Sequence, residues 1–201
     1  MLNISDKLSG VYKFSQEAST LIQNKKISVI DSRHLSVSLG LIVLRVAEEI
    51  FKGKTHDEIV RLANDWILKT KIFVDIQTLK YMVRGGRVSP LKGVLAKILN
   101  IKPMVSLDSE GKAVAFGKSF SRRGNTKKIM RMIKDMADKE NIWNYAIVHA
   151  QNLDRAEIYA EKIKESLHRD PAYIMDISPV IGVHNGIGAV GVALMFGSKN
   201  V

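Results

Sequence analysis

"IKPMVSLDSEGKAVAFGKSF", residues 101–120, decides the fold class. Two β-rich runs flank Asp108 to Gly111, a turn-rich tetrapeptide, and the pattern predicts two strands joined as a hairpin. Upstream, "IFVDI" (72–76) reads as a buried strand and "TLKYMVRGG" (78–86) as a short helix stopped by two glycines. Ser89 and Pro90 then read as the cap and first turn of a further short helix carrying Leu91, Val94, Leu95 and Ile98. Downstream come a helix through Ile129, Met132, Ile133 and Met136, a strand "YAIVHA" (145–150) and a helix from Leu153 to Leu167. A strand "YIMDIS" (173–178), a glycine loop and a last strand complete the order. Helices and strands alternate, and the hairpin interrupts the crossovers, so the class is α/β with a mixed sheet.

Working back toward the N-terminus, Val11, Phe14, Ala18, Leu21 and Ile22 recur at helical spacing behind Ser9 and Gly10. "KISVIDS" (26–32) is a short β-rich run. Leu35, Leu39, Ile42, Val43, Val46 and Ile50 form the next helical stripe, closed by Gly53. Thr55 and Glu58 make a capping box ahead of Ile59, Leu62, Ala63, Trp66 and Ile67. Only one strand thus precedes residue 70, and one strand cannot make a sheet. It must join the later strands or lack its partner.

Composition narrows the function classes. A chain of 201 residues, 46% hydrophobic, buries one sizeable core or two modest ones. Its apolar stretches, such as Leu35 to Leu44 and Ala189 to Phe196, fall short of the roughly 18 residues a membrane span needs. A charged segment followed by an apolar one is not found at the N-terminus, so a cytoplasmic location is expected. The absence of cysteine removes disulfides, thiolate nucleophiles and Cys-ligated zinc. The net charge is +11, and Lys118 to Lys134 holds seven basic residues and no acidic one. That run reads either as the docking surface for a polyanion or acidic partner or as a solvated helix face. Its one aromatic residue, Phe120, falls short of the repeated interleaving that single-strand platforms would require.

Three places carry candidate chemistry. His184 sits in "GVHNGIGAVG" (182–191), where glycines allow left-handed backbone or close approach of a ligand. An imidazole there serves a ligand, or is a structural histidine in a glycine-rich turn. Ser9 and Gly10, at a helix start, read as a carboxylate or phosphate site or as an ordinary cap. "RGGRVS" (84–89) places two arginines around a double glycine, or simply stops a helix. The remaining histidines lack i, i+4 partners, and no metal site or cofactor motif is found.

Taken in order, "ISDKLSGVY", "VIDSRHLSVSLG", "LKYMVRGGRVSPLKGVLAKILNIKPMVSLDSEG", "VHA" and "ISPVIGVHNGIGAVGVA" resemble the DegV family of fatty-acid-binding proteins, which includes the B subunits of bacterial fatty acid kinase. The resemblance spans nearly the whole chain. It implies a two-domain α/β fold, with residues 1–70 a remnant of the N-terminal domain and 71–201 the lipid-binding domain with its mixed sheet. It also implies a long-chain fatty acid such as palmitate or oleate as ligand, with no other cofactor. The chain would be a carrier, not an enzyme: the acyl chain is buried, and the carboxylate is presented to a separate ATP-using kinase subunit. By the same resemblance Ser9, with Gly10, and His184 hold the carboxylate, and Arg87 of the GGR motif lies near the ligand head or the domain interface. Lys118, Arg122, Arg123, Lys127 and Lys128 fall where the family docks the kinase. The chain departs from the pattern in having Val11 for threonine and Ile187 for proline, and in lacking the family's first strand. A homodimer covering the shortened domain is the expectation that follows. Two readings stand beside this one: a basic docking or nucleic-acid-binding module without lipid, and an enzyme using His184 as base.

Overall fold

The computed structural model describes residues 1–87 and 101–197. A six-stranded sheet carries most of the chain, built from β3 (Thr70–Asp75), β4 (Lys102–Leu107), β5 (Ala113–Ser119), β6 (Ile142–His149), β7 (Ile174–Asp176) and β8 (Val190–Phe196). Its order is β5-β4-β3-β8-β6-β7. All neighbours are antiparallel except the β6–β7 pair at one edge, so the sheet is mixed.

Strand residues alternate between two buried faces, as period-2 geometry requires. Phe73, Val190, Val192 and Leu194 face α5 (Arg122–Ala137) and α6 (Leu153–Leu167), meeting Ile129, Ile133, Tyr159 and Ile163. Ile72, Ala193 and Met195 face the other way, toward α2 (Ser36–Phe51) and α3 (His56–Leu68), meeting Val37, Leu41, Trp66 and Ile67. Helices therefore cover both faces. The division expected after residue 70 falls just inside the start of β3, and the α2/α3 cluster runs across it.

Local chemistry fixes the ends of these elements. Thr55 Oγ1 accepts from the Glu58 amide, and Glu58 Oε2 accepts from the Thr55 amide at 2.9 Å, closing the capping box that opens α3. The hairpin turns at Asp108, whose Oδ1 accepts from the Glu110 and Lys112 amides, each at 2.9 Å. Gly111 has φ of +83°, a left-handed conformation, and a Cβ there would lie 2.4 Å from Ser5 Oγ. Ser5 Oγ donates to Gly111 O at 2.9 Å, so the hairpin tip clasps the N-terminal segment.

Three expectations need correction or restriction. The run at 26–32 pairs only at β2 (Ile30–Asp31), in parallel with β1 (Leu2–Asn3), in a two-stranded sheet of its own. It does not join the six-stranded sheet: Lys25 and Lys26 are solvated, and pairing begins only where the chain meets Met1 to Asn3. The glycine loop is partly a helix, α7 (Pro179–Asn185), with Pro179 in its first turn. Val180 and Val183 lie on its solvated side at 73% and 66% exposure, so no amphipathic pattern announces it. The helix expected at Ser89–Ile98 lies outside the described residues. Among the described residues the remaining helices are α1 (Val11–Thr20) and α4 (Lys80–Arg84).

Candidate functional site

On the α2 side of the sheet, a cavity opens between the strand ends and α7. Its atom-free space, open mouth included, is about 950 Å³. Ile72, Val74, Val105, Val148 and Gly191 supply its strand wall, and Leu8, Met82 and Ile181 are among the other apolar residues around it. The polar lining is small: Ser9, Arg87, His184 and Asn185, with Ser36 and Ser106. Ser106 Oγ donates to Ile72 O at 2.6 Å.

Three segments distant in sequence meet at this cavity. Ser9 precedes α1, its Oγ accepting from the Val11 amide at 3.4 Å. Arg87 follows α4, donating through Nη1 to Gly85 O at 2.6 Å and through Nε to Leu8 O at 3.4 Å. The guanidinium thus ties the turn before Ser9 to the double glycine. His184 lies in the last turn of α7, and its ring rests on Gly85: a Cβ on that glycine would sit 2.0 Å from His184 Nδ1. Gly186, with φ of +77°, gives the ring of Tyr81 in α4 the same close approach. Glycines are therefore what bring α7 onto α4.

The imidazole is electrostatically unsettled. Its Nδ1 is buried with no hydrogen-bond partner among the described residues. Burial, and then the Arg87 charge, push its pKa below the ordinary value, which favours a neutral ring. A hydroxyl, a neutral imidazole, a guanidinium and the amide of Asn185 around one end of an apolar space suit the head of an amphiphilic acid. Among the described residues no group of three or more His, Cys, Asp or Glu could hold a metal ion.

The other sequence candidates fall elsewhere. Gly10 occupies the N-cap position of α1, is exposed and lies outside the cavity lining. Lys118 at the end of β5 and Arg123, Lys127 and Lys128 on α5 are exposed, on the helix side away from buried Asn125, Ile129 and Ile133. Arg122 differs from them. Its Nη2 donates to the fully buried carboxylate of Asp75 at 3.2 Å, beside Arg155, whose Nε donates to the same oxygen at 2.7 Å. Spacing alone marks it as one of a solvated run, yet folding turns it inward. Asn185 also lines the cavity and carries no motif of its own; its adjacency to His184 is the one sequence signal that points to it.

The model of the DegV family, described as uncharacterised proteins, matches residues 1–197. A DegV domain-containing protein of Clostridium acetobutylicum is 30% identical over 195 residues, covering 96% of this chain and 69% of the relative. One of Staphylococcus aureus is 27% identical over 194 residues, with the same coverage. Among solved structures, a fatty acid binding DegV family protein from Streptococcus agalactiae superposes with a TM-score of 0.86 at 26% identity, covering 100% of this chain and 71% of that one. A DegV family protein from Ruminococcus gnavus, described with vaccenic acid, gives 0.82 at 25% identity, covering 96% and 70%.

Proposed function

The chain belongs to the DegV family, and on that footing we propose that its cavity binds a long-chain fatty acid. The carboxylate lies against Ser9, His184 and Arg87, and the acyl chain runs along the apolar strand wall. The observation that carries this reading is the meeting of Ser9 and His184, 175 residues apart (184 − 9), at one apolar cavity. The Streptococcus agalactiae and Ruminococcus gnavus proteins support it, since both are described with fatty acid. The energetics suffice. Each buried CH₂ contributes about 0.8 kcal/mol, so a sixteen-carbon chain supplies on the order of 10 kcal/mol before the entropic cost of association.

The role is that of a cytoplasmic carrier. A separate ATP-using kinase subunit phosphorylates the exposed head, and its docking surface is the exposed cationic face of Lys118, Arg123, Lys127 and Lys128, which suits an acidic patch. Phosphoryl chemistry belongs to that partner. Denaturing mass spectrometry of the purified chain should find co-purified lipid, and added palmitate or oleate should be taken up. His184→Ala should lower retention while leaving the circular dichroism spectrum unchanged. No lipid and no uptake would remove the proposal.

A further inference from the structure

Ser36, the first residue of α2, has φ of +49°, where a helix takes about −63°. A left-handed non-glycine residue is strained, and such strain collects at ligand clamps. Ser36 lines the apolar cavity and is partly buried. Its hydroxyl has no hydrogen-bond partner among the described residues, and the oxygen retains accessible surface. The neighbouring hydroxyls are committed: Ser32 donates to His34 O at 3.2 Å, Ser38 to Leu35 O at 2.8 Å and Ser106 to Ile72 O.

The sheet shows where along the cavity this hydroxyl stands. Val37, the next residue, packs over Gly191, where a Cβ would lie 3.8 Å from Val37 Cγ1. Gly191 pairs with Val74 on one side and Val148 on the other, and all three belong to the strand wall. Two residues further along β8, Ala193 pairs with Ile72, which lines the cavity as well. In the other direction β8 begins just after α7, which carries His184. Ser36 therefore adjoins the wall between the His184 end and Ile72, along the course of an acyl chain and not at its tip. A plain chain passing this point offers the hydroxyl neither donor nor acceptor, whereas a hydroxyl on the chain can give one hydrogen bond or take one.

We propose that Ser36 is a specificity residue of the acyl cavity, and that it favours long-chain acids bearing a hydroxyl on an interior carbon over plain acids of the same length. This inference rests on the fatty-acid reading and refines which acids are held.

Native mass spectrometry tests it, with stearic acid in competition against the positional isomers of hydroxystearic acid, from the third carbon to the last. At least one interior isomer should bind about fivefold more tightly than stearic acid, the net worth of one hydrogen bond, and the terminal isomer should gain nothing. Ser36→Gly removes the hydroxyl and suits the positive φ. It should reverse the order, because a chain hydroxyl then enters an apolar wall unpaired, while stearic acid binding persists. Four outcomes would each overturn the assignment with fatty acid binding intact. These are no interior isomer preferred, a terminal isomer preferred, a preference that survives Ser36→Gly, and a loss of stearic acid in Ser36→Gly as large as in His184→Ala, which would put the hydroxyl on the carboxylate. Failure of the wild-type chain to bind stearic acid or palmitate would instead remove the underlying reading, and the role of Ser36 with it.

Discussion

The ring of His184 owes its position to a missing methyl group. Gly85 has φ of −77°, a conformation any residue adopts, so its glycine is required by the contact and not by the backbone. Alanine there would collide with Nδ1 at 2.0 Å and drive the imidazole off its seat. We expect Gly85→Ala to reduce palmitate retention about as much as His184→Ala does, with the fold intact by circular dichroism. Undiminished retention in Gly85→Ala would show that the ring does not hold the head group. The double glycine of the GGR motif thus acts on the neighbouring helix as well as ending its own.

At the scale of elements, β3, α5 and α6 are pinned by one carboxylate. Asp75 is fully buried and accepts from Arg122, Arg155, Tyr159 and, at 2.8 Å, Asn125. Two guanidiniums surround one carboxylate, an arrangement in which the charges sustain one another only while the anion is present. Asp75→Asn leaves both arginines half-buried without their counter-ion. Loss of one partner from a buried ion pair costs about 3–5 kcal/mol. Urea denaturation should register a fall of that order, and a change below about 1 kcal/mol would show that the network contributes little. α5 accordingly has two faces: Arg122 holds the helix to the sheet, Arg123 and Lys127 are exposed, and Lys128, also exposed, donates to Lys118 O at 2.6 Å.

For the molecule as a whole, the N-terminal segment is joined to the large sheet through the hairpin tip at Gly111, and to the end of α3 through His34 against Ile67. The second junction makes stability pH-dependent. In the unfolded chain His34 titrates near its ordinary 6.5, and in the folded protein near 4. Below 6.5 the unfolded state takes up a proton that the folded state refuses, so stability present above that pH is lost as the pH falls toward 4. A shift of this size corresponds to about 3 kcal/mol. Denaturation midpoints measured from pH 7 to pH 4 should decline, and His34→Gln should flatten the decline. An identical slope in the variant would assign the acid sensitivity to other groups. Among the described residues no helix is long and apolar enough to cross a membrane.

The sequence by itself determined most of the described elements and the family. Binary patterning, the Thr55 capping box, the Asp108–Gly111 turn and the hairpin it closes are local signals, read within one or two turns of chain. The same holds for the candidates Ser9, Arg87 and His184, whose motifs are short and ordered. Tertiary structure alone decided what these residues face. It placed Ser9 and His184 on one cavity, left Gly10 outside it, turned Arg122 in toward Asp75 and made a helix of the segment before Gly186. It also brought His34 together with Ile72 and Leu107 around one cleft, which no spacing in the chain announces. The reason is physical: helix and strand patterns record which side of an element is buried, whereas a site is set by which elements meet. That is fixed by close approaches, such as Gly85 under His184, between residues far apart along the chain.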